Sequence, residues 1–131
     1  MADNASVTAL VAALGEDIVI TGTALDGRRL SDWSGAPHAT PRALVRPRTT
    51  EQLAEALRIC HAHGQGVVPQ GGLTGLAGGA CCRAQDVALS LERMNAIEEI
   101  DPVSCTITVQ AGTVLQAVQD AADAAGFLFA L

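Results

Sequence analysis

From Ser6 onward apolar residues recur at Val7, Leu10, Val11 and Leu14, the i, i+3, i+4, i+7 spacing of one helical face, and Gly15 follows as a left-handed stop. The spacing predicts a short amphipathic helix with Ser6 as its N-cap. Ile18 to Ile20 is a brief β-branched run. Between Thr21 and Thr40 four residues are Gly or Pro and no period holds, which predicts a loop that Trp33 pins to the core.

Ala43 to Arg46 predicts a strand ended by Pro47, and Thr49 with Gln52 three positions on makes a capping box for a helix running to about His63. Leu53, Ala56, Leu57 and Cys60 share one face of that helix, Glu51, Glu55 and Arg58 the other, and Gly64 supplies the C-cap. Val67 and Val68 open a strand. Asp86 to Leu91 predicts another, with Val87, Leu89 and Leu91 on one side. Ile97 to Asp101 and Cys105 to Gln110 alternate as the two arms of a hairpin. After Gly112, a third helix carries Val114, Leu115, Val118, Ala121, Ala122 and Ala125 on one face and ends at Gly126. Phe127 to Leu131 predicts the start of a further strand, and so apolar an ending is expected of a piece of a longer protein.

These elements predict an α+β domain with a small mixed β-sheet and flanking helices. With 131 residues, 49% apolar and 17% charged, the chain has the size and composition of one packed domain. A formal charge of −6 and only three aromatics, Trp33, Phe127 and Phe129, argue against nucleic acid as a partner. All eight cations are arginines, which excludes a Schiff-base lysine and a Walker-type phosphate loop. Val7 to Leu14 is too short to span a membrane; with Asp3 before it and Gly15-Glu16-Asp17 after it, it does not resemble a signal peptide either. Cys60, Cys81, Cys82 and Cys105 lack the spacing of a secreted disulfide framework, so a reducing cytoplasm is expected.

The chemistry concentrates in residues 69–79, Pro-Gln-Gly-Gly-Leu-Thr-Gly-Leu-Ala-Gly-Gly, with five glycines in eleven positions directly after Val67-Val68. Glycine permits positive φ and close approach to a ligand, and successive free N–H groups form a concave anion site. Backbone amides and the Thr74 hydroxyl are the expected donors. The spacing does not match G-x-G-x-x-G, because Leu73 stands two positions after Gly71. A flexible linker is the plain alternative, and Leu73, Leu76 and Ala77 count against it.

Four segments in order carry a resemblance: Pro47-Arg-Thr-Thr-Glu-Gln-Leu, the run from Val67 to Gly79, Leu89-Ser-Leu-Glu-Arg-Met-Asn-Ala-Ile, and Ala111-Gly-Thr-Val-Leu, with Asp32-Trp33 upstream. Together they resemble the FAD-linked oxidases of the vanillyl-alcohol oxidase superfamily, in the branch of glycolate oxidase flavin subunits, D-lactate dehydrogenases and D-2-hydroxyglutarate dehydrogenases. The resemblance covers the first lobe of that family's two-lobed FAD-binding domain; the second lobe and the substrate cap are not in this chain. It implies noncovalent FAD as cofactor, with Gly71, Gly72, Leu73, Thr74, Gly75 and Leu76 holding the pyrophosphate and Pro69 and Gln70 lining the same groove. Pro47 and Gly112 are implied near the adenine end. Leu73 stands where many members have Asn or Gly, and Cys81-Cys82 where Val-Pro is usual.

The implied parent reaction is oxidation of a small 2-hydroxy acid of the glycolate, D-lactate or D-2-hydroxyglutarate class, with an unspecified electron acceptor. The rival is a non-enzymatic fragment acting as an interaction or assembly module. The missing lobe predicts bare apolar surface around Val87 to Leu91 and Phe127 to Leu131, and hence self-association or poor solubility. No catalytic residue is assigned. His61 and His63 point to opposite sides of a helix, so no metal is expected with Cys60, Cys81 and Cys82. Glu98, Glu99 and Asp101 have the pattern of a solvated strand face.

Overall fold

A computed structural model of the chain describes residues 4–131. Asp3, which bears on the signal-peptide argument, lies outside the described residues. In chain order the elements are α1 (Ala5–Leu14), β1 (Val19–Thr21), a 3-10 turn (Gly22–Leu25), β2 (Ala43–Val45), α2 (Thr50–Ala62), β3 (Val67–Gln70), β4 (Val87–Ser90), β5 (Ile97–Asp101), β6 (Thr106–Val109) and α3 (Leu115–Ala124). The first four strands form one mixed sheet in the order β1-β2-β4-β3, and β5 with β6 form the expected hairpin. β1 runs antiparallel to β2, whereas β2, β4 and β3 are parallel, with Ala43 and Val67 both in register with Val87.

Both faces of the sheet are covered. On one side Val7 and Leu10 of α1 and Ala56, Ile59 and Cys60 of α2 pack against Val19, Ala43, Val45, Val87 and Leu89. On the other, Leu25 and Leu30 join Leu44, Cys82 and Ala88. All four residues of β4 are therefore buried, as a central parallel strand requires. The expected bare surface is absent at Val87 to Ser90, because α1 and α2 cover Val87 and Leu89 and the segment from Gly22 to Leu30 covers Ala88, whereas Leu128 and Leu131 are exposed as expected. Burial of each large aliphatic side chain here contributes about 1.5–3 kcal/mol.

Several local expectations change for packing reasons. The N-cap of α1 is Asn4; Ser6 lies inside the helix, buried, where its hydroxyl donates to Gln65 Oε1 at 2.9 Å. Trp33 is 62% exposed and does not pin the loop; Leu25 and Leu30 do. Thr49 caps α2 as expected, its Oγ1 accepting from the Gln52 N–H at 3.3 Å, while Gln52 Oε1 reaches back to the Arg48 N–H at 2.8 Å. Gly64, at φ +60°, lets Gln65 N–H close onto Cys60 C=O at 2.8 Å. Leu57 is 44% exposed, and Ile59 takes the buried place beside Cys60. Val118 and Ala122 are the buried residues of α3, whereas Val114 and Leu115 stay open. Phe127 to Leu131 forms no strand.

Pro69 sits in β3 without disturbing it. β3 is a sheet edge, and the carbonyls of Gly66 and Gln70 accept from Val87 and Leu91, so the alternate residue Pro69 turns its nitrogen away from β4.

Gly112 joins the hairpin to the sheet. Its N–H donates to Met94 C=O at 2.8 Å, and a Cβ there would lie 1.7 Å from the Leu91 carbonyl oxygen. Backbone meets backbone, so no rotamer change relieves the clash. Gly112→Ala is expected to destabilise the chain by roughly 3 kcal/mol in urea titration. Gly72→Ala, whose Cβ meets nothing within 4 Å, should change stability by less than about 1 kcal/mol.

Candidate functional site

The three parallel strands end on the same side of the sheet, where a cleft of about 730 Å³ opens. Open parallel sheets bind ligands at the carboxyl ends of their strands. Its walls come from five segments: Arg28 and Arg29 after the 3-10 turn, Leu44 of β2, Gln70 to Thr74 from the end of β3 onward, Ser90 and Glu92 at and after the end of β4, and Ala111 to Leu115 leading into α3. Gly112 seated on Leu91 brings that last segment to the cleft.

Of the residues singled out in the sequence, Gln70, Gly71, Gly72, Leu73, Thr74 and Gly112 come together here. Pro69, Gly75 and Leu76 do not line the cleft, and Leu76 is 77% exposed. Pro47 is fully buried and also stands apart from it.

The loop owes its shape to its neighbours. Gln70 is buried, and its Nε2 donates to Leu30 C=O at 3.1 Å and Ala80 C=O at 2.9 Å, joining the start and exit of the glycine segment to the sheet cover. Gly75 C=O accepts from the Trp33 N–H at 2.9 Å. The carboxylate of Asp32 accepts from the N–H and hydroxyl of Ser34, from the Ala80 N–H at 3.5 Å and from Cys81 Sγ at 3.5 Å. These donors, the Ser34 hydroxyl first, hold the Asp32 pKa down at about 2.

Gly71, Gly72 and Gly75 do not occupy the positive-φ conformation expected of them. Within the cleft wall that conformation falls on Leu73, at φ +56°. Asn and Gly, the residues that the resemblance places at this position, are the two that tolerate it best. What Gly71 and Gly72 provide is open space, since a Cβ on either meets nothing within 4 Å. The N–H groups of Gly71, Gly72, Leu73 and Thr74 find no acceptor among the described residues.

Sequence reasoning missed Arg28 and Arg29. Arg29 Nη2 donates to Leu73 C=O at 2.6 Å, and its guanidinium lies 5.2 Å from the Trp33 ring centroid. They are the chain's only adjacent pair of cations, a signal hidden in a segment without periodicity. Across the cleft, Glu92 is paired with Arg46 at 3.1 Å. Unpaired amides with two guanidinium groups suit a diphosphate or similar anion.

The other clusters resolve simply. All four cysteines are free; burial pushes the Cys82 thiol up to about 11 and raises that of Cys60. His61 and His63 are exposed, and no group of three metal-ligating side chains gathers among the described residues. Glu98 and Glu99 face solvent. No helix among the described residues is long and apolar enough to cross a membrane.

Residues 41–131 match the FAD binding domain family. The bovine mitochondrial D-2-hydroxyglutarate dehydrogenase is 37% identical over 100 residues, 76% of this chain and 18% of that protein. The D-2-hydroxyglutarate dehydrogenase of Xanthomonas citri is 39% identical over 75% of this chain and 21% of its own length. The glycolate oxidase subunit GlcD of Bacillus subtilis is 32% identical over 79% of this chain and 22% of its own. The chain thus spans about a fifth of the length of the curated relatives it matches. Among solved structures, substrate-bound p-cresol methylhydroxylase superposes with a TM-score of 0.75 at 27% identity, covering 95% of this chain and 25% of that one. Alkyldihydroxyacetonephosphate synthase shares the fold, with a TM-score of 0.80 at 18% identity over 96% of this chain and 28% of its own.

Two predictions test the loop. Replacing Leu73 should reverse the usual preference for apolar bulk: Gly is expected to be as stable as Leu or better, and Val less stable by about 1 kcal/mol, because a β-branched residue is a steric outlier at positive φ. Chemical denaturation of the three forms checks the order. Asp32 has a depressed folded pKa, so its contribution is present above about pH 4 and disappears as pH falls towards 2. The gap in thermal midpoint between the native chain and Asp32→Ala should therefore narrow between pH 4 and pH 2.

Proposed function

The chain belongs to the FAD binding domain family, and on that premise we propose that the cleft at the carboxyl ends of β3 and β4 receives the pyrophosphate of FAD. The observation that carries this reading is the run of unpaired N–H groups from Gly71 to Thr74 beside a position where no side chain intrudes. The residues present fit the group: a dianion gains hydrogen bonds that these amides otherwise lack, and Gly71 and Gly72 allow its oxygens to approach the main chain. Gly112 borders the same cleft, while Pro47, Pro69, Gly75 and Leu76 lie outside its lining. Attachment at the loop is noncovalent, since neither His nor Cys occurs between Pro69 and Gly79.

For the parent protein we propose oxidation of a small D-2-hydroxy acid, a reading supported by the names of the relatives. Bound FAD supplies the acceptor for the hydride removed from the substrate carbon, and the protein supplies orientation. This chain's part is to hold the diphosphate: the Gly71 to Thr74 amides bind, Gln70 and Asp32 keep the loop in place, and Arg29 fixes the Leu73 carbonyl. No residue here is assigned as acid, base or nucleophile. The four free thiols support a reducing compartment such as the cytoplasm.

Gly72→Val separates binding from folding, because its side chain enters space that the protein leaves empty. FAD titration followed by flavin fluorescence should show affinity reduced at least tenfold, about 1.4 kcal/mol, with the thermal midpoint within a few degrees of the native chain. Equal affinity in both forms would return the loop to the linker reading.

A further inference from the structure

The chain is acidic overall, and its arginines are largely committed to its own carboxylates. Arg46 pairs with Glu92, Arg48 and Arg93 with Asp17, Arg58 with Glu55, and Arg83 with Asp86, all at 3.2 Å or less. Arg42 precedes β2, at the end of the sheet away from the glycine loop, and borders a different cleft. Arg28 and Arg29 have no carboxylate within 4 Å among the described residues, and both line the cleft beside the loop. The position is set by the core: Leu25 and Leu30, buried under the sheet on either side of them in sequence, leave the two arginines at its carboxyl edge.

The two do different work. Arg29 is spent on the protein, through Nε to Ser31 C=O at 3.3 Å, Nη2 to Leu73 C=O at 2.6 Å and the face of Trp33. The Arg28 guanidinium donates only from Nε, to Ala24 C=O at 3.2 Å, which holds the stem while both Nη groups find no acceptor among the described residues. A guanidinium anchored at Nε and open at its outer edge has the geometry for bidentate contact with phosphate oxygens.

We propose that Arg28 is the cation that meets the FAD pyrophosphate, the part that lysine plays in other phosphate loops and that no lysine can play here, with Arg29 as a positioning residue that holds Leu73 and the loop. The inference rests on the reading of the cleft as the pyrophosphate site. Amides alone hold the dianion through partial charges; Arg28 adds a full charge from beside the loop, so its contribution is screened by salt.

The test titrates FAD and riboflavin, which lacks phosphate, into the native chain, Arg28→Gln, Arg28→Lys, Arg29→Gln and Gly72→Val, with thermal midpoints alongside. Arg28→Gln is expected to raise the FAD Kd about tenfold at low salt, with a gap that closes as ionic strength rises, an unchanged riboflavin Kd and an unchanged midpoint. Arg28→Lys should recover part of the loss. Arg29→Gln should lower the midpoint as well as the affinity. If Arg28→Gln binds FAD within twofold of the native chain at low salt while Gly72→Val does not bind, the Arg28 assignment is overturned and the cleft reading stands. Equal FAD binding by the native chain and Gly72→Val, or no FAD binding by any form, overturns both.

Discussion

Everything in this fold answers to the burial of β4. Val87 to Ser90 are enclosed at every position, with a parallel strand on each side, so the strand has no face that water can solvate. An antiparallel sheet of this size could leave one side wet; this one needs two covers. Helices α1 and α2 provide the first. The second is not a helix but the stretch from the 3-10 turn to Leu30, whose two buried leucines substitute for a helical stripe. A segment recruited to exclude water from one strand thereby becomes a wall of the functional cleft.

The glycine loop shows how little of its own shape a glycine-rich stretch must encode. Its path is fixed from outside, by one buried amide on Gln70 that reaches Leu30 and Ala80, by the Asp32 carboxylate and by the main chain of Trp33. Conformational freedom at Gly71 and Gly72 is not used for unusual dihedral angles; the absence of side chains is. The one non-glycine residue of the loop in the left-handed region is Leu73, whose carbonyl is also gripped by Arg29. Strain and the contact that sustains it sit at the same residue, as expected where surrounding structure over-determines a backbone.

Local periodicity made the helices, the hairpin and the α+β class legible, and the capping box at Thr49 and the stop at Gly64 marked α2 to within a residue. Burial on both faces was not legible, because three apolar residues in a row, Val87 to Leu89, look the same whether one or both sides are covered. Trp33 misled for a related reason: size suggests a core anchor, yet the ring lies outside, against a guanidinium. The glycine loop announced itself through composition and order of motifs. Its arginine neighbours did not, since Arg28 and Arg29 lie some forty residues upstream in a segment without period, and only the packing of Leu25 and Leu30 under the sheet brings them to the loop.

Pro69 carries a consequence for assembly. Along β3 the residues that alternate with Gly66 and Gln70 present their main chain to the open edge of the sheet, and in the middle of that row the donor is missing. A fifth strand arriving there would find its ladder interrupted after a single residue and would be obstructed by the pyrrolidine ring. The edge next to the glycine loop is thus closed to sheet growth by chemistry rather than by a covering element, which keeps the loop's flank free of intruding strands without adding anything that would crowd a ligand.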